Sequence, residues 1–296
     1  MLMGNMGLYR NGATFGQRPI LNQLSVQPAR SFSLRLMNEN YTGSAIRVIR
    51  SLDNTQTNIG FNSSGSLDIV SLLSFAGNGS AFITVVYDQM GSGVNPNQTI
   101  PANQPRIVNN GVLDLVNSLP TFFSTTTTTS LNGTLVINGS SMITLNIVGS
   151  SPYTGTLGDS GVPNYIAWSE SGSWGQVFVG TNQTQIGWRF GTGQIGNFRT
   201  ANSAFGSGNN IVSLVKTNNI ETPYRNGVAL TPFTSALNNI ANTGSDFRLM
   251  SSNGTVKQSI VGLTMQEVNI FLTALSASDR VLLERNQGAY YGITVS

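Results

Sequence analysis

The sequence predicts an all-β sandwich with a few short helices, on the evidence of composition, strand-like patterns and turn pairs. Charged residues make up 9% of the 296 residues, well below the roughly 25% of an average soluble domain. Asn, Ser, Thr and Gly take their place, and these residues suit turns and exposed sheet positions rather than helices. Hydrophobic residues make up 39%, which is enough to form the core of a globular protein.

Several classes of function are excluded by the residues that the chain lacks. The sequence contains no Cys and no His, so a disulfide framework, a Cys/His zinc site, a Ser-His-Asp triad and a thiol nucleophile are all excluded. Paired carboxylates and calcium held by oxygen ligands stay open, although no cofactor is indicated. The net charge of +3 comes without a Lys/Arg block, so we expect no nucleic-acid partner. Without a long apolar segment we expect no membrane insertion.

The start of the chain is the least regular part. Residues 1–27 are rich in Gly, Asn and Met and show no periodicity. We predict an N-terminal arm there that orders against a neighbouring subunit, and a floppy terminus is the alternative. The same stretch has no apolar core of a secretory signal.

Residues 28–112 show a mixture of strand and helix patterns. Alternation of Ile46, Val48 and basic residues predicts a strand, and the apolar side chains after Ser66 predict a helix that Ser66 caps. The β-rich run AFITVVY predicts a buried strand that ends in a glycine-rich turn. The predicted elements are a helix at Ala29–Met37, strands at Ser44–Arg50, Thr57–Phe61 and Ala81–Tyr87, and the helix after Ser66.

From Gly111 onward the sequence reads as strands and turns. Asn-Gly pairs at 132, 138, 226 and 253 predict turns, because both residue types tolerate positive φ. Ser276 with Asp279 predicts a capped helix that ends at Gly288, after which Ala289–Ile293 returns to the sheet. The predicted strands are Thr134–Asn138, Ser141–Val148, Tyr165–Ser169, Gly175–Val179, Gln185–Phe190, Asn210–Lys216, Thr222–Tyr224, Phe247–Met250 and Gly262–Leu272.

Three segments carry a resemblance to a known family. They are SFSLRLMNENYTGSAIRVIRSLDNTQTNIGF at 31–61, SLDIVSLLSFAGNGSAFITVVYDQMGSG at 66–93 and ANQPRIV at 102–108. This part resembles the opening of the α-L-arabinofuranosidase B type catalytic domain, and more closely a related segment of phage-encoded proteins. YRNGVAL at 224–230 and the stretch 263–292 resemble a laminin-G or concanavalin-A-like sandwich. The resemblance implies one jelly-roll type domain over 28–296, with an opening segment at 28–112 and a sandwich at 113–296.

The resemblance also implies a test for catalysis. Glycosidases need two facing carboxylates, and the stretches that correspond to those of the fungal enzymes, Gln176–Arg189 and Ser251–Thr255, contain none. We therefore predict that the chain is not an enzyme. Glu170, Glu221 and Asp246 are the acids that remain in the sandwich part, and two of them forming a catalytic pair stays open. Glu267 is interpreted as a structural or surface acid.

Candidate ligand contacts come from two groups of residues. Asp88 and Gln89 stand in a glycine-rich turn, where they can hold a ligand hydroxyl or calcium, or accept backbone N–H bonds. Trp168, Trp174 and Trp188, with Tyr153 and Tyr165, can stack on a sugar ring or fill the core. Trp174, in the loop SESGSWG, is the one expected to be exposed.

The leading functional hypothesis is a non-enzymatic bacteriophage virion protein, a capsid decoration, head-fibre or tail subunit. Its expected location is the virion, and its expected partners are other virion proteins, further copies of itself in a homo-oligomer, and a host-surface glycan. The phage-type segment, the absent secretory signal and the charge-poor composition motivate this hypothesis. A glycan-binding receptor or adhesin and a glycoside hydrolase of arabinofuranosidase type are the alternatives.

Overall fold

The protein is built from antiparallel sheets. A computed structural model describes residues 18–157, 163–168, 177–190, 198–204, 206, 208–236, 238–240, 244–251 and 259–296. Within these residues the strands form a larger sheet of thirteen strands, a smaller sheet of six and a ribbon of two. The prediction of an all-β sandwich with few helices is confirmed.

The strands are numbered in chain order. They are β1 (Arg30–Ser33), β2 (Ile46–Arg50), β3 (Gln56–Ile59), β4 (Ala81–Val86), β5 (Arg106–Asn109), β6 (Val112–Leu113), β7 (Leu115–Val116), β8 (Leu119–Pro120), β9 (Phe122–Phe123), β10 (Leu131–Thr134), β11 (Met142–Ser150), β12 (Asn164–Trp168), β13 (Val177–Thr181), β14 (Gln185–Phe190), β15 (Arg199–Asn202), β16 (Asn210–Thr217), β17 (Ile220–Arg225), β18 (Val228–Ala229), β19 (Phe233–Thr234), β20 (Asp246–Leu249) and β21 (Thr264–Phe271).

The two sheets have different strand orders. The larger sheet runs β18-β17-β16-β11-β21-β9-β5-β4-β2-β3, and β1, β19 and β6 pair with β21, β17 and β5. The smaller sheet runs β10-β20-β12-β13-β14-β15, and β7 and β8 form the ribbon. Because β1 pairs with β21, the first and last described strands lie side by side. The apolar side chains of both sheets meet in one buried core that includes Phe32, Trp168 and Phe247.

Two α-helices complete the described fold. Helix α1 spans Ile69–Ala76, and its cap is Asp68, which accepts a bond from the Ser71 backbone N–H, rather than the predicted Ser66. Helix α2 spans Ala277–Tyr291, and Ser276 caps it by accepting from the Asp279 N–H. Short 3-10 turns occur at Ile20–Gln23 and Pro101–Asn103. Among the described residues, neither helix has the length and apolar character needed to cross a membrane.

The predicted end of α2 at Gly288 is wrong. The helix continues to Tyr291 and ends at Gly292, which adopts the left-handed conformation with φ 67°. Gly288 is required for packing instead, because a Cβ there would lie 2.6 Å from the carbonyl oxygen of Ile293. The residues after the helix therefore fold back over Gly288 rather than entering the sheet as a strand.

Two further local predictions are wrong for reasons of packing. Ala29–Met37 contains β1 rather than a helix, since the segment pairs with β21 and places Phe32 in the core. The Asn132-Gly133 pair lies within β10 rather than in a turn. A Cβ on Gly133 would lie 2.6 Å from Cζ of Phe247, so the glycine makes room for an aromatic ring. The pair at Asn253 lies outside the described residues.

Part of the predicted arm belongs to the folded domain. Ile20, Leu21 and Leu24 are buried in a satellite cluster with Leu283 of α2. The Ser25 backbone N–H donates to Oδ1 of Asp279 at 3.1 Å. Residues 18–27 are therefore packed against α2, whereas residues 1–17 lie outside the described part of the chain.

Candidate functional site

The outer face of the larger sheet carries a row of polar side chains beneath α2. Directly opposed residues of adjacent strands lie on the same face of a sheet, and the row consists of Ser31, Asn269, Asn146, Ser213 and Tyr224. Ser31 Oγ donates to Asn269 at 2.7 Å, Asn269 Nδ2 donates to Asn146 at 3.1 Å, and Asn146 Nδ2 donates to Ser213 at 3.0 Å. We call these five residues the polar row.

Glu267 lies next to the polar row and is fully buried. Its carboxylate accepts bonds from Arg35 Nε at 2.8 Å, the Tyr291 hydroxyl at 3.0 Å and Gln287 Nε2 at 2.8 Å. Burial, the largest effect, raises the pKa of Tyr291, so its hydroxyl stays a donor. Glu267 is thus a structural acid rather than a surface one, because α2 covers the face on which it lies. This cluster is closed to a ligand.

A second buried acid lies between the two sheets. Trp188 Nε1 donates to Glu221 Oε2 at 2.8 Å, and Lys216 Nζ lies 3.9 Å from Oε1 of the same carboxylate. Burial is the main cause that raises the pKa of Glu221 and lowers the pKa of Lys216. Glu221 is 0% exposed. It therefore contributes to the interior of the sandwich in this conformation.

The outer face of the smaller sheet has a different character. Five directly opposed residues cross five adjacent strands, namely Asn132, Arg248, Ala167, Phe178 and Arg189. Their neighbours Phe247, Trp168 and Phe190 belong to the core, so strand alternation places this row on the outer face. We call the five residues the arginine row.

Aromatic side chains flank the arginine row. Phe178 stacks on Phe198 with ring centroids 5.9 Å apart, and the guanidinium of Arg189 lies 5.8 Å from the Phe178 ring centroid. Phe178 forms a small apolar cluster with Ala167 and Leu157, on which Tyr153 and Phe198 pack. Tyr153 and Phe198 are themselves only half-buried. Ala167, Phe178 and Arg189 are at most 4% exposed, so the accessible aromatic surface here is that of Tyr153 and Phe198.

Arg248 is the arginine of the row whose charge is least compensated by neighbouring side chains. The side chain is partly buried, and its Nη1 atom has no hydrogen-bond partner. Burial lowers the pKa of Arg248, and the charge of Asp246 opposes that effect. Asp246 stands two residues earlier on β20 and is exposed. Asn132, on the other side of Arg248, is also exposed.

The predicted ligand contacts occupy other positions. Trp168 is buried in the core and donates from Nε1 to the Leu135 carbonyl at 2.9 Å. Trp188 is buried against Glu221, and Tyr165 is buried as well. Neither tryptophan can stack on a sugar in this conformation, so their interpretation as ligand contacts is corrected. Trp174 lies outside the described residues.

The side chains of Asp88 and Gln89 accept hydrogen bonds from backbone N–H groups and do not face solvent. Asp88 Oδ1 accepts from the N–H groups of Ser31 at 2.9 Å and Met90 at 3.1 Å. Gln89 Oε1 accepts from the Met37 N–H at 2.7 Å. Both side chains are at most 2% exposed, so their placement does not support a ligand role. In the described part of the chain, no group of three acidic side chains is arranged to hold a metal ion.

The arginine row was missed at the level of sequence. QIGWRF on β14 alternates, so Arg189 is predicted on the face opposite Trp188. Nothing in the sequence places Arg248 on the same row, because the two residues are 59 positions apart and meet only through the register of three strand pairs.

Comparison with known proteins shows the fold. No protein-family model matches the chain, and no curated protein matches it. A GH54 α-L-arabinofuranosidase soaked with a cyclic sulfate inhibitor aligns with a TM-score of 0.67 and 15% identity. An arabinofuranosidase complexed with arabinofuranosyl-alpha-1,2-xylobiose aligns with a TM-score of 0.68 and 14% identity. Both alignments cover 94% of this chain but only 65% of the enzyme.

These matches confirm the predicted resemblance to the arabinofuranosidase sandwich. They contradict the prediction that the chain is not an enzyme, because the two solved structures that align over 94% of it are arabinofuranosidases. At this level of identity the comparison establishes the fold alone.

Proposed function

We propose that the chain is a carbohydrate-directed protein of glycoside hydrolase type, which binds its glycan on the outer face of the smaller sheet. The arabinofuranosidase fold over 94% of the chain supports the class. The observation that carries the location is Arg248, a partly buried cation with an unpaired Nη1 atom, on the face where the half-buried rings of Tyr153 and Phe198 also lie. Sugar sites combine flat apolar surface with a few polar groups that fix orientation.

Hydrolysis requires two carboxylates on opposite sides of the scissile bond, roughly 5–9.5 Å apart. Asp246 lies beside Arg248 on β20 and is exposed. Glu170 follows the end of β12 by two positions in the sequence and lies outside the described residues. Glu221 is on the core side of the sandwich. We therefore propose Asp246 and Glu170 as the pair to test first.

The test is release of sugar from chromogenic arabinofuranosides and from a panel of arabinose-containing polysaccharides. We expect hydrolysis by the wild type and a loss on the order of 10²–10⁴-fold in kcat/KM for Asp246→Asn and Glu170→Gln. Glu39→Gln, an exposed acid paired with Arg18 at the protein surface, is the matched control and keeps full activity. A wild type that neither cleaves nor binds any glycan of the panel contradicts the proposal.

Display on a virion is a separate proposal that is compatible with a glycan-directed role. The phage-type segment and the charge-poor composition support it, and so does the general tendency of virion proteins to form symmetric oligomers. Deletion of residues 1–17 leaves the packed residues 18–27 in place, and we expect the shortened chain to fold but to be lost from particles. Normal incorporation of the shortened chain contradicts docking through this segment.

A further inference from the structure

The arginine row carries two cations that the strand register holds apart. Arg248 and Arg189 stand on β20 and β14, which are three strand spacings apart in the smaller sheet, or roughly 14 Å at the usual spacing of paired strands. Ala167 and Phe178 lie between them, and these two residues and Arg189 are at most 4% exposed. Arg248, which is only partly buried, is therefore the cation of the row that a ligand can reach.

The charge of Arg248 is not balanced by a bonded partner. Buried and half-buried cations are ordinarily paired, because removal from water is costly without a counter-charge. In the described part of the chain, Nη1 of Arg248 has no hydrogen-bond partner, and the charge of Asp246 only partly offsets the effect of burial on the pKa of Arg248. Arg35, under α2, is a buried cation with a partner, because its Nε donates to Glu267 at 2.8 Å.

We propose that the end of the arginine row formed by Arg248 and Asn132 binds a polysaccharide that contains carboxylated sugars, with Arg248 pairing with a uronate carboxylate. This inference rests on the proposed function and specifies its substrate class. Guanidinium groups bind planar carboxylates through paired N–H donors. The half-buried rings of Tyr153 and Phe198, which pack on the same face, provide the apolar contacts to the sugar faces. Exposed Asn132 supplies an amide beside Arg248 that matches sugar hydroxyls.

Asp246 limits how the ligand can approach. Its carboxylate is exposed and lies on the same face as Arg248, so it repels a ligand carboxylate on its own side. The uronate carboxylate therefore reaches Arg248 from the side of the exposed Asn132. Substitution of Asp246 by Asn is expected to strengthen binding of the acidic polymer while it reduces hydrolysis, and these opposite effects separate binding from catalysis.

The experiment compares two forms of one polymer with the full chain. Binding of polygalacturonate and of the same polymer with its carboxylates methyl-esterified is measured by titration calorimetry or affinity electrophoresis. We expect polygalacturonate to bind at least about tenfold more tightly, and Arg248→Gln to remove about tenfold, equivalent to about 1.4 kcal/mol. Arg248→Lys retains part of the affinity because it keeps the charge. Arg47→Gln, which removes an exposed cation from β2 on the larger sheet, is the control and leaves binding unchanged.

Each other result counts against the inference in a distinguishable way. Equal binding of the esterified polymer, or binding of neutral arabinan alone, overturns the acidic-sugar specificity and leaves the proposed function standing. A preference for polygalacturonate that Arg248→Gln does not alter overturns the assignment to the arginine row. Absence of binding to every glycan overturns this inference together with the proposed function.

Discussion

The two sheets of the sandwich both bury cations on their outer faces, Arg35 beneath α2 and Arg248 on β20. Under α2, Arg35 pairs with Glu267, and Gln287 joins that pair to Asn146 of the polar row. On the smaller sheet, Nη1 of Arg248 has no hydrogen-bond partner among the described residues. A satisfied network fixes how elements pack, whereas an unsatisfied cation is available to a ligand. Arginine thus stabilises the packing of a helix on one face and, in our proposal, binds a ligand on the other.

The largest effect is expected from removal of Glu267. Glu267→Ala leaves Arg35 as a buried cation without its partner and removes acceptors from Tyr291 and Gln287. Breaking a buried ion pair on one side typically costs about 3–5 kcal/mol. Urea unfolding followed by tryptophan fluorescence measures this loss, and Glu39→Ala is the exposed control that leaves the midpoint unchanged. A change for Glu267→Ala no larger than that of the control contradicts the role of the cluster.

A moderate effect is expected from Gln287, which links α2 to the sheet. Its amide donates to both Asn146 and Glu267, so Gln287→Ala leaves two buried acceptors short of a donor. Loss of one partner of a buried polar group costs about 1–3 kcal/mol. The double variant Gln287→Ala with Asn146→Ala should lose less than the sum of the single losses, because the two residues share bonds. Simple additivity of the two losses would show that they act independently.

A smaller effect concerns pH. Burial, the largest cause, raises the pKa of Glu284 above its ordinary value of 4.5. The folded protein therefore keeps a proton that the unfolded chain releases above about pH 4.5, so the contribution of this group to stability is lost as pH rises through its folded pKa. Urea midpoints measured between pH 4 and 8 should decline less steeply for Glu284→Gln than for the wild type. Parallel slopes for the two proteins contradict the assignment.

The smallest change in stability is expected at Arg248, in contrast to its proposed effect on binding. Because no bonded partner is lost, Arg248→Met should alter the free energy of unfolding by less than about 0.5 kcal/mol, measured by the same urea titration. A loss as large as that of Glu267→Ala would mean that Arg248 has a structural partner, and the contrast between the two faces would disappear.

Sequence patterns predicted strands well wherever alternation was strong, as in Gln185–Phe190, which matches β14 at both ends. They failed where distant packing decides the local structure. Ala29–Met37 becomes a strand because β21 is available to pair with it, and Gly133 stays in a strand because Phe247 needs the space. Both partners lie more than a hundred positions away in the sequence.

The candidate site was harder to predict than the fold. Alternation along TMQEVNIF separates Glu267 and Asn269 from Val268 and Ile270, and such a pattern ordinarily indicates a solvent-facing polar side. Helix α2 covers that side, which the strand sequence does not encode. Arg248 and Arg189 are unremarkable in their own segments, and only the register of the smaller sheet places them in one row.

The pairing of β1 with β21 has a consequence for synthesis. Ser31 and Asn269, which bond across that pair, are 238 residues apart in the chain. A ribosome adding about 5–20 residues per second needs on the order of 10–50 s to produce the partner after β1 has emerged. During that interval the nascent chain carries β1 as an unpaired strand with Phe32 uncovered, and an unpaired strand is a template for aggregation. Productive folding in the cell therefore depends on how β1 is shielded until translation reaches the last strand.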